Sequence, residues 1–108
     1  MKKWQSKEEF KARVRTWAKK IDVNVRVISI RVMKNKWASF TVQSRLLIFN
    51  AELLKVDKKL GDYVIVHELL HFAVPNHGRL WKSLMRAHLG DYEGLEASLR
   101  KLRDSSIV

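Results

Sequence analysis

VIVHELLHFAVPNH, residues 64–77, sets three histidines and a glutamate into an otherwise apolar run. Imidazole and carboxylate groups are unfavourable among apolar side chains unless something pairs with them, and a divalent metal is the partner these residue types suggest. His67 and His71 are four apart, so on a helix they stand one turn above each other on one face, close enough to share an ion. Glu68 directly follows the first of them. This is the HExxH pattern, in which two imidazoles hold zinc and the carboxylate one position on acts as general base on the water that the metal activates. A catalytic zinc takes a third protein ligand and leaves a fourth place open. His77 is the expected third ligand, because Pro75 disfavours helical backbone at Val74 and Asn76 tolerates the angles that turn the chain back. A pair of ordinary surface histidines is the plainer alternative, and the apolar neighbours Ile65, Val66, Leu69 and Leu70 argue against it.

The helix that carries the motif is expected from Lys58, capped by Asp57, to about Val74, with Gly61 weakening its first turns. Upstream, Ser6 and Glu9 fit a capping box, and Phe10, Val14, Trp17, Ala18 and Ile21 recur at helical spacing, which predicts an amphipathic helix over residues 7–20. VNVRVISIRVM (residues 23–33) is β-branched and largely alternating, and WASFTV and RLLIFN suggest two further strands around a turn near Gln43 and Ser44. Asn50 is placed to cap a short helical turn through Leu54. Downstream, a helix from about Gly78 to Leu89 ends at Gly90, and another from about Glu93 to Arg103 aligns Leu95, Leu99 and Leu102; the last residues, DSSIV, read as frayed. The expected fold class is α+β: an N-terminal helix, a small three-stranded mixed sheet, then the active-site helix and two C-terminal helices.

A chain of 108 residues has room for one hydrophobic core, so a single domain over residues 1–108 is expected. No window reaches the uncharged apolar length of a bilayer span, the opening MKKWQSKEEF turns polar where a secretory signal would place its apolar core, and cysteine is absent. A cytoplasmic, monomeric protein without membrane contact is the expectation. Net charge is +11, and residues 1–36 hold twelve Lys or Arg against Glu8, Glu9 and Asp22. Such a patch recruits phosphates by releasing counterions, but it also serves simply to keep a small protein soluble, and this second reading is favoured over nucleic-acid binding for want of a binding motif.

The segment HELLHFAVPNHGRLW resembles the minigluzincins, single-domain zinc metallopeptidases, and MKNKWASF and LLIFNAELL are similar to strand signatures of the wider group around them. The similarity spans residues 31–92. It implies a minimal zincin-like domain, assigns His67, His71 and His77 to zinc and Glu68 to catalysis, and implies latency through the C-terminus. Ala38, Ser39 and Phe40 stand where the group often has Gly, Ser and Cys, and Gly78 stands where it often has serine. Thermolysin-like relatives instead draw a glutamate from a later helix, which would bring in Asp91 or Glu93, and His88 is a further rival to His77.

The expected activity is a zinc-dependent endopeptidase, with one zinc ion per chain, acting on peptides or unfolded protein. The alternatives are a nucleic-acid-associated metalloprotease or binding module using the basic N-terminal third, and a hydrolase acting on a non-peptide bond. Tyr63, Arg79, His88 and Tyr92 are open candidates for oxyanion donor, and Asn76 and Asp91 for acceptors behind the zinc-bound imidazoles. Substrate is expected to add as a strand along an exposed edge formed by Leu46, Leu47, Ile48, Phe49 and Asn50. Trp37 and Trp81 either line the cleft or fill the core. Residues 104–108 form a candidate flexible or latency tail that folds back into the cleft.

Overall fold

In the computed structural model, which describes residues 2–74 and 78–107 and side chains as far as Leu102, helix α1 (Lys7–Ile21) begins as its capping box dictates. Ser6 Oγ accepts from the Glu9 N–H at 3.1 Å, and Glu9 reaches back to accept from the Gln5 N–H at 2.7 Å. Phe10, Val14 and Ala18 form its buried face. Asp22, in the left-handed region at φ 63°, ends the helix and turns the chain into strand β1 (Val27–Arg31).

Strands β2 (Ala38–Thr41) and β3 (Leu46–Asn50) follow, and the sheet order is β1-β3-β2. β3 runs parallel to β1 and antiparallel to β2, so the sheet is mixed. The expectation that Leu46, Leu47, Ile48, Phe49 and Asn50 form an exposed edge is therefore corrected: β3 is central, with a neighbour on either side. Leu47 and Phe49, on one face of it, are wholly buried, while Leu46 and Ile48 on the other are half-buried. β1 is shorter than residues 23–33 because its pairing with β3 begins only at Val27↔Leu46.

Asn50 is the one buried polar residue among the described residues, and its side chain is fully used. Its amide donates to the carbonyls of Met33 (3.1 Å) and Lys36 (2.8 Å), while its oxygen accepts from the Glu52 N–H and caps the 3-10 helix Ala51–Lys55. The loop leading into β2 is thus pinned beside the end of β3.

Helix α2 (Lys58–Ala73) crosses the molecule with Tyr63, Val64, Ile65, Val66, Leu69 and Leu70 all buried, and Asp57 caps it by accepting from the Lys59 N–H at 2.8 Å. Asp62 ties it to α1, accepting from Arg13 Nε (2.7 Å) and from the Trp17 indole (2.8 Å). Helices α3 (Arg79–Leu89) and α4 (Tyr92–Ile107) pack on α2, separated by Gly90 at φ 70°. α4 continues to Ile107, past the expected end near Arg103, since no glycine or proline follows Gly94 to stop it.

The basic front third is partly occupied with internal bonds. Besides Arg13, Arg15 donates to the carbonyls of Val25 and Arg26, and the backbone of Lys2 bonds to Asp57 and Lys58 at the head of α2. That docking seats the Trp4 ring on Gly61, where a Cβ would stand 2.7 Å from the ring. Gly61→Ala would ordinarily favour a helix by about 1 kcal/mol. Here the buried ring has to move, and overpacking of about 1–3 kcal/mol opposes that gain. The variant should unfold at a lower temperature than the parent in a calorimetric scan; a higher midpoint would disprove the contact.

Candidate metal centre and substrate cleft

α2 is buried almost all round, and its two motif histidines fall where that burial is relieved. His67 and His71 stand side by side with ring centroids 4.5 Å apart, as one-turn spacing requires. Trp81 of α3 packs against both, its ring 5.3 Å from His67 at a right-angled tilt and 6.0 Å from His71. Tyr63, one turn earlier on α2, also packs against His67, its ring centroid 5.7 Å away at a 38° tilt. The two rings are thereby held by aromatic walls rather than by solvent-exposed rotamers, which limits the freedom they would lose on binding an ion.

The Glu68 carboxylate lies 3.5 Å from His67 Nδ1, with 18% of its side chain exposed against 23% for His67. Both line a cleft of about 780 Å³. Val64, Trp81 and Tyr92 give it apolar surface, and Trp37 and Ala38 bring in the start of β2. Of the two tryptophans, Trp81 is both core and cleft wall, being 4% exposed, and Trp37 is half-buried. β2 bonds to β3 on one side only, and among the described residues no strand pairs with its other edge.

The remaining expected site residues divide between the cleft and other surfaces. Tyr63 and Tyr92 are at the cleft. The Tyr63 hydroxyl donates to Glu96 Oε2 at 3.3 Å, and burial, ahead of the Glu96 charge, pushes its phenol well above the usual range, so it stays an O–H donor. Arg79 lies in a groove on the outer side of α3 with Ser83. His88 and Asp91 line a separate cavity with Trp17, whose ring is 5.9 Å from His88, and Asp91 caps the first turn of α4. Glu93 reaches the cleft rim but is paired with Arg86. His77 and Asn76 lie outside the described residues. Among the described residues no three His, Cys, Asp or Glu side chains gather closely enough to hold a metal. His67 and His71 supply two nitrogen donors and Glu68 an adjacent carboxylate, a donor set that fits zinc provided one further ligand joins it.

Sequence reasoning does not single out Lys36, Lys82, Arg86, Glu96 or Arg100, all of which line the cleft. Glu96 and Arg100 form an i,i+4 ion pair at 2.9 Å, a spacing readable in the sequence. The bond from Tyr63 to Glu96 joins α2 to α4 and has no local signal.

A family model described as YgjP-like, metallopeptidase domain, matches residues 1–102. The uncharacterized protein MJ0123 of Methanocaldococcus jannaschii is 31% identical over 104 residues, which cover 93% of this chain and 94% of that protein. Among solved structures, the crystal structure of the metallopeptidase zymogen of Methanocaldococcus jannaschii jannalysin is similar with a TM-score of 0.74 and 29% sequence identity, over 88% of this chain and 95% of the other.

Proposed function

Because the chain belongs to the YgjP-like metallopeptidase domain family, we propose that it is a zinc-dependent endopeptidase, with His67, His71 and His77 as the metal ligands and Glu68 as the general base. The observation that carries this reading is the meeting of His67 and Glu68 in one cleft beside the edge of β2 that, among the described residues, pairs with no strand. When bound, the metal would polarise the peptide carbonyl and acidify water. An extended peptide would pair through its backbone with β2, the strand whose edge reaches the cleft, and so present its scissile bond to α2. Glu68 would take a proton from the attacking water on a carboxylate oxygen and pass it to the leaving amine. Trp81 and Tyr92 keep the surroundings of His67 apolar and strengthen each charge interaction there. Tyr63, held protonated, is the cleft's own candidate donor to a developing oxyanion; Glu96 would have to release it first.

Latency belongs to the same proposal. Glu96, Leu99 and Arg100 of α4 form part of the cleft wall, so the last turns of that helix are continuous with a wall that substrate must pass. The likeness to a metallopeptidase zymogen supports this.

The test is a metal assay paired with digestion of a denatured protein mixture. The purified chain should carry one zinc per molecule, lose activity to a chelator and regain it with zinc, and deletion of residues 105–108 should raise the rate. A chain that takes up no metal would end the proposal, and equal rates with and without residues 105–108 would remove the latency.

A further inference from the structure

The charges of the cleft do not cancel. Arg86 is paired with Glu93, and Arg100 with Glu96, whose second oxygen is occupied by the Tyr63 hydroxyl. Glu68 is committed to the chemistry. Two lysines remain, Lys36 on the loop entering β2 and Lys82 on α3, both exposed, and among the described residues neither has an acidic side chain within ion-pair distance. They come from different walls of the same cleft. Lys82 also borders the groove on the outer side of α3, where Arg79 adds a third cation, so the positive surface continues outward from the reaction centre. Asn50 fixes the approach of Lys36 by holding the Lys36 carbonyl at 2.8 Å.

We infer that Lys36 and Lys82 are specificity residues that select peptides bearing Asp or Glu close to the scissile bond. This rests on the peptidase reading above and deepens it. A substrate strand on β2 passes directly beside Lys36, and side chains that it turns towards α3 face Lys82. Low-dielectric walls at Trp81 and Tyr92 focus the field of both ammonium groups into the cleft. A basic peptide would meet repulsion at the same two positions, which gives discrimination from both directions.

The experiment uses the zinc-loaded full chain and three ten-residue peptides of one framework, with acidic, neutral or basic residues flanking the central bond. Cleavage is followed by mass spectrometry, and binding to the Glu68→Gln protein by fluorescence anisotropy in low salt. The acidic peptide should lead the basic one by about ten-fold in kcat/KM and in affinity, the scale expected of two exposed charge contacts. Lys36→Glu with Lys82→Glu should remove or invert that ratio. Lys7→Glu with Lys19→Glu on α1, which changes the net charge equally but lies away from the cleft, should leave the ratio as it was. Equal cleavage of all three peptides overturns the inference while leaving the peptidase reading standing; cleavage of none, by the full chain and by the chain lacking residues 105–108 alike, overturns both. The inference also fails if the α1 variant lowers the ratio as much as the cleft variant. So does displacement of the bound acidic peptide by a single-stranded oligonucleotide of equal charge at lower concentration than by unlabelled peptide, since the cleft would then be a nucleic-acid surface.

Discussion

Glu68→Gln should retain a full equivalent of zinc and lose about 10²–10⁴-fold in kcat/KM, the range that one positioned proton-transfer group supplies. The side chain is 18% exposed, wide enough for contact with a water in the cleft and narrow enough that its neighbours fix it. Glutamine has the same shape and fills the same space beside His67, so the fold and the two imidazoles are undisturbed. What glutamine lacks is a basic oxygen. The loss should therefore fall on kcat with KM little changed, since the proton moves only as the bond rearranges. Metal analysis and steady-state kinetics on the same preparation decide it. Undiminished hydrolysis with bound zinc would exclude Glu68 as the base, and loss of zinc would make it a ligand or a structural group instead.

Much of this centre is legible in the sequence because its signals are local. The spacing of His67 and His71 depends on helical geometry alone, and the caps at Ser6, Asn50 and Asp57 are readable as side chains with a nearby backbone N–H to satisfy. The three strands are readable too, but their order is not. RLLIFN suggests an edge because it precedes the active-site helix in the chain, whereas its near-continuous apolar run is the mark of a central strand. Placing β3 between its predecessors leaves β2 at the margin, so Ala38–Thr41, and not Leu46–Asn50, offers the open edge beside the cleft. Contacts between elements distant in sequence leave no pattern to read. The docking of Trp4 on Gly61, the Arg13–Asp62 pair and the bond from Tyr63 to Glu96 exist only once helices pack. Their residues look like ordinary surface charges and core aromatics when read along the chain.

The identity of the third ligand has the second large expected effect. His77→Ala should weaken zinc binding by more than about 100-fold, beyond what loss of a merely orienting neighbour produces. His67 and His71 alone give two nitrogen donors, and two donors do not hold a catalytic zinc against competing chelators. The rival donors are each engaged elsewhere: Glu93 with Arg86, Asp91 with the first turn of α4, and His88 against Trp17 in a separate cavity. To reach the metal, any of them would have to give up those contacts. Glu93→Gln, Asp91→Asn and His88→Gln should therefore each retain zinc, and isothermal titration with a competing chelator would rank all four variants on one scale. Should His77→Ala bind zinc as tightly as the parent while Glu93→Gln loses it, the centre would be of the glutamate-ligated kind. The open coordination place would then face a different wall of the cleft, and β2 and Lys36 would no longer stand where substrate meets the metal.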